Sequence, residues 1–118
     1  MAAKYDFVIE QGATFSREIV EKVDGEVVDF SGYTALMQIK DEDNNIIVEL
    51  STENQRIVAS STGIKLTIDY NITKELDSTL ICFYDLFIEK NSDRQKYIYG
   101  NVNIEESITK EATEGVSI

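Results

Sequence analysis

Histidine, proline and tryptophan are all absent from this 118-residue chain, and cysteine occurs once, at Cys82. Without an imidazole base, nucleophilic catalysis of the Ser-His-Asp or Cys-His type is excluded in its usual form. A single cysteine excludes an intrachain disulfide and any Cys-x-x-Cys metal or redox motif, which fits a reducing compartment. Inside its apolar run Cys82 reads as a small buried hydrophobe. Long apolar stretches are missing too. Runs such as 80–84 fall far short of the roughly 20 residues a membrane helix needs. The opening Met-Ala-Ala-Lys-Tyr-Asp has no signal-peptide core, so synthesis in the cytosol is expected. Cations are scarce, with 11 Lys and Arg against 22 Asp and Glu, a formal net charge of -11. Affinity for nucleic acid comes mostly from cations that displace phosphate counterions, so the balance argues against a nucleic-acid partner, and against anionic membranes for the same reason. The lack of proline leaves strand edges unblunted by that residue, so backbone pairing with another chain is an available contact.

What is present is strand periodicity. With 42% hydrophobic and 28% charged residues, the chain has the size and composition of one soluble domain. In 64–70, Ile64, Leu66, Ile68 and Tyr70 alternate with Lys65, Thr67 and Asp69, the pattern of a sheet with one wet face. Tyr5, Phe7 and Ile9 alternate likewise. Asp24-Gly25 signals a tight hairpin between 19–23 and 26–28, and 41–45 joins strands at 34–40 and 46–51. Ser60 to Gly63 is a turn, 71–76 is a short helical turn capped by Asn71 or Thr73, and 91–94 joins strands at 80–90 and 95–105. Seven to nine short antiparallel strands with one helical turn predict an all-β, immunoglobulin-like β-sandwich over residues 1–109, with a flexible tail over 110–118. Phe7, Ile9, Met37, Ile39, Leu66, Ile68, Tyr84, Leu86, Val102 and Ile104 form the expected core.

Chemistry-bearing motifs are weak. Asp41, Asp43 and Asn45 occupy the first, third and fifth positions of a calcium-loop pattern, but Ile46 replaces the turning glycine and Thr52 the closing glutamate, so the segment reads as a hairpin turn. Asn71-Ile72-Thr73 matches a glycosylation acceptor, and its reading is a helix cap. Gly12, Gly25, Gly32, Gly63 and Gly100 stand singly and form no phosphate cradle. The abundant carboxylates read as a solvated acidic surface. No catalytic residue, metal, cofactor or small-molecule substrate is expected. Strict alternation in the last hairpin places Phe83, Phe87, Tyr97 and Tyr99 on one outer surface, and exposed aromatics of this kind mark a protein interface or are covered by 71–79 or the tail.

The segments 11–15 (Gln-Gly-Ala-Thr-Phe), 28–40 (Val-Asp-Phe-Ser-Gly-Tyr onward), 84–86 (Tyr-Asp-Leu) and 100–104 (Gly-Asn-Val-Asn-Ile) resemble a group of small virion proteins of tailed phages. These are short sandwich domains similar to the N-terminal domain of the phage baseplate upper protein. The similarity covers about residues 5–109, with Phe30 where the pattern has leucine. It implies a non-enzymatic assembly protein of the virion, in tail, baseplate or neck, whose partners are other virion proteins and copies of itself. Two other classes fit less well. An acidic DNA mimic would need carboxylates arrayed on one surface, whereas here Lys and Arg are interleaved. A carbohydrate-binding module would have to use Tyr97 and Tyr99 in place of tryptophan.

Overall fold

The computed structural model describes residues 2–109, and the tail expected over 110–118 lies outside them. In chain order the elements are β1 (Ala3–Lys4), β2 (Phe7–Glu10), β3 (Phe15–Ile19), β4 (Lys22–Val23), β5 (Glu26–Val27), β6 (Thr34–Asp41), β7 (Ile46–Ser51), β8 (Ile57–Ser60), β9 (Gly63–Ile68), α1 (Tyr70–Thr73), β10 (Cys82–Lys90) and β11 (Asp93–Glu105). Setting aside the two-residue pieces β1, β4 and β5 leaves eight strands among the described residues. The larger sheet runs β1-β11-β10-β6-β7 with β2 also on β11, and the smaller runs β3-β9-β8. This is an immunoglobulin-like β-sandwich whose larger sheet carries an additional edge strand, β7.

The expected all-antiparallel pairing fails at one edge, where β1 and β2 run parallel to β11. The cause is a strand that changes sheets. After β2 the chain crosses through 11–14 and resumes as β3 on β9 in the opposite layer. Gln11 fixes the crossing, since its Nε2 donates to the Leu76 carbonyl at 2.8 Å and its Oε1 accepts from the Ser107 N–H at 3.0 Å. At the same edge β11 carries Gly100, where a Cβ would collide with the Tyr5 carbonyl and the Asp6 carboxylate. Only glycine lets the two backbones approach so closely.

All ten expected core residues are buried, and Phe15, Phe30, Leu50, Ile57 and Ile64 join them. Where an immunoglobulin domain of the antibody type has a disulfide and a tryptophan, aromatic rings span the two layers here. Phe7 on β2 meets Phe15 on β3 edge-on at 5.6 Å between centroids and Tyr84 on β10 at 4.9 Å. The Tyr84 hydroxyl donates to the Tyr5 carbonyl at 2.5 Å, and burial raises its pKa.

Several expectations are corrected. Tyr5 is exposed and lines the groove between β1 and β3 rather than the core. Tyr70 is also exposed, because Asp69 ends the strand by accepting the Asn71 N–H at 2.8 Å and starts α1. The helix cap is therefore Asp69, not Asn71 or Thr73. Thr73 is instead fully buried, its hydroxyl donating to the Ala13 carbonyl at 2.8 Å. The last hairpin turns more tightly than expected, through Asn91 and Ser92, both at positive φ (54° and 67°).

Candidate protein interface

The outer face of the larger sheet is built by β6, β10 and β11, whose central strands alternate between core and solvent. Phe83 lies opposite Lys40 on one side and Asn101 on the other. Asp85 lies opposite Tyr99 and Gln38, and Phe87 opposite Lys96 and Leu36. Phe83 and Tyr99 are thus diagonal neighbours on adjacent strands, a separation that aromatic side chains can span. They are 44% and 40% exposed. On central strands of a sheet this is unusual ground for aromatic carbon.

The other two expected interface residues differ. Phe87 is half-buried and roofed by cations, with the Arg94 guanidinium 4.6 Å and the Lys96 ammonium 5.8 Å from its ring centroid. Lys96 also pairs with Asp85 at 3.6 Å. Tyr97 does not join the outer face. A register shift between Leu86 and Phe87 pairs Leu86 with Ile98 but Phe87 with Lys96, leaving Tyr97 as the extra residue of a β-bulge. Strict alternation is lost there, and Tyr97 packs on the core against Phe30 at 5.6 Å. Burial first, and the nearby Glu21 second, push its hydroxyl pKa up to about 12. Phe30, where the resembling pattern has leucine, fills the space between Tyr97 and Tyr33.

Lys40, Arg94 and Lys96 were not singled out from sequence as part of this face. Their signal lies in the pairing of strands, since each becomes a neighbour of Phe83 or Phe87 only once the β6-β10-β11 register is known.

The remaining motif residues serve the fold. Asp41 Oδ1 accepts the N–H groups of Asp43 and Asn45, both at 2.9 Å, and its Oδ2 accepts from the Asn45 amide at 3.1 Å, so the carboxylate closes the 41–45 turn on itself. Among the described residues no group of three or more Cys, Asp or Glu is arranged to hold a metal ion. Cys82 is buried, and desolvation, with Asp41 and Asp77 adding to it, raises its thiol pKa away from reactivity. Asp29 accepts the Ser31 N–H at 2.8 Å and caps the turn before β6.

No protein-family model matches the chain, nor does any curated protein. A solved structure from photo-crosslinking work on multimeric cell-adhesive interactions of VGSC beta subunits matches at TM-score 0.49 and 8% identity, over 86% of this chain and 91% of that one. No partner or activity comes to this chain from a likeness of that size.

Proposed function

We propose that this domain is a non-enzymatic assembly protein of a bacteriophage particle, held to neighbouring virion proteins through the outer face of its larger sheet. The observation that carries the reading is the exposure of Phe83 and Tyr99 as diagonal neighbours on central strands. Solvated aromatic carbon gains free energy when a partner removes it from water, and Lys40 and Lys96 around it supply charge for orientation. The setting rests on the resemblance of 11–15, 28–40, 84–86 and 100–104 to phage virion proteins, while Gln11, Asp29 and Gly100 each hold a turn or a close approach of strands within the fold.

The double substitution Phe83→Ser with Tyr99→Ser tests this. Burial of each ring contributes on the order of 2 kcal/mol, so its loss from an interface weakens binding by about a hundredfold or more. Circular dichroism should show an unchanged fold, and the variant should be missing from particles assembled in its presence. Wild-type incorporation would show that the contact lies elsewhere.

A further inference from the structure

The ladder that joins the first strands to β11 breaks once without losing its register. Ala3 lies opposite Ile98 and Phe7 opposite Val102, so β1 and β2 keep the same offset and no residue is inserted between them. In a parallel ladder a residue that donates its N–H to one carbonyl accepts, with its own carbonyl, the N–H two residues further along the partner. Tyr5 keeps the first of these bonds, donating to the Tyr99 carbonyl at 2.8 Å. Its carbonyl has turned to the Tyr84 hydroxyl on β10, at 2.5 Å, and the Asn101 N–H left behind donates to Asp6 Oδ1 at 2.9 Å. A carboxylate thus stands in for the missing backbone acceptor, and a charged acceptor makes the stronger bond. Gly100 leaves room for the exchange, since a Cβ there would meet both the Tyr5 carbonyl and Asp6. Beyond β2 the contact goes on. Gln11 N–H donates to the Glu105 carbonyl at 2.9 Å, and Ser107 N–H to Gln11 Oε1 at 3.0 Å.

Strand direction decides how this seam responds to a pull. Tension along the chain draws segment 3–11 toward Ala3 and β11 toward Glu105. Because the two run parallel, the pulls are opposed along the strand axis, and the bonds from Ala3 to Gln11 are strained together. Were the strands antiparallel, the same tension would open the bonds one after another. The Tyr84 hydroxyl passes part of the pull to β10, inside the larger sheet.

We propose that the pairing of segment 3–11 with β11 is a shear clamp that lets the domain carry tension along its chain, with the Asp6 carboxylate and the Tyr84 hydroxyl holding it where the ladder breaks. Phe7 and Ile9 leave the core with the segment, so its sliding on β11 is the step that opens the domain. The clamp does not depend on the outer face, and loss of the contact at Phe83 and Tyr99 leaves it standing.

Single-molecule force spectroscopy on the full chain tests it in two geometries. Handles fused to the two ends strain the seam in shear. Moving the second handle to Asp93→Cys, at the start of β11, peels segment 3–11 away from its Ala3 end, and Cys82 is buried and takes no handle. Rupture force follows the barrier to unfolding and not the equilibrium stability. End-to-end pulling should therefore need several times the force of the peel for the same fold. Asp6→Ala and Tyr84→Phe should each lower the end-to-end force and leave the peel force as in wild type. Asp6→Asn, whose amide oxygen can accept the same N–H, should keep most of the wild-type force. Should Asp6→Ala fail to fold, the comparison of geometries in wild type and the Tyr84→Phe variant carry the test. Equal forces in the two geometries would overturn the clamp, and variants that weaken both geometries alike would show that Asp6 and Tyr84 serve stability alone.

Discussion

At Tyr97 one extra residue on β11 changes which way a side chain points, and with it the composition of the exposed face. The alternation of 95–105 implies an outward tyrosine, and only the pairing of Phe87 with Lys96 reveals the bulge. Thr73 is a second residue whose role depends on its surroundings. Buried in α1, its hydroxyl donates to the Ala13 carbonyl and so ties the helical turn to the 11–14 crossing. Thr73→Val keeps the shape and leaves that carbonyl without its donor, so it should lower unfolding stability by about 1–3 kcal/mol in urea titrations, with Thr73→Ser close to wild type. Three carboxyls, Asp29, Asp41 and Asp77, are held below the ordinary aspartate range, chiefly by the Ser31 side chain, the Asn45 N–H and the Thr79 side chain respectively. Since their folded pKa values lie below the unfolded one, their contribution is complete above about pH 4 and is lost as pH falls through the folded values. Urea midpoints should therefore drop on the acid side, and less steeply when all three are replaced by asparagine.

Strand edges decide what the elements can do to one another. No proline blunts the edges, but side chains occupy part of them. Thr52 N–H donates to the Ala35 carbonyl on β6 at 3.0 Å, so the alternate residues Glu49 and Ser51 turn their backbone groups outward. The Glu49 carbonyl accepts from Asn54 Nδ2 at 3.0 Å and Arg56 at 2.8 Å, and the Ser51 N–H donates to Asn54 Oδ1 at 2.9 Å. On the opposite side Arg17 spans both layers, donating to the Ser16 carbonyl at 2.8 Å and the Val8 carbonyl at 3.4 Å. Occupied carbonyls cannot receive a foreign strand. Asn54→Ala with Arg56→Ala should free β7 and produce light-scattering aggregates that grow with concentration, whereas a variant as monodisperse as wild type would show that the bracket is incidental. Strands β6, β7, β9 and β10 were legible in sequence because each is long enough to show two or more apolar alternations. The four-residue β8 was not, since Ile57-Val-Ala-Ser is too short to show a period and its strand character comes from pairing with β9. Phe83 and Tyr99 were legible for the same reason as the core, being the off-beat positions of a strong alternation. Their cationic neighbours belong to other strands and appear only with the register.

Over the whole molecule, a net charge of -11 opposes self-association, while the face around Phe83 mixes Lys40 and Lys96 with Asp85 and Glu49. Charges of both signs on that face make contact selective in orientation, and salt within the physiological range screens them over about 8 Å. The central claim is that Phe83 and Tyr99 lose contact with water when the protein takes its place among neighbours. Hydroxyl-radical footprinting of the free protein and of assembled particles measures this directly, residue by residue. Phe83 and Tyr99 should label strongly in the free chain, with a fall on assembly that exceeds the change at Tyr70, which is 45% exposed on α1. Labelling of both aromatics in the particle at the level of the free chain would contradict it.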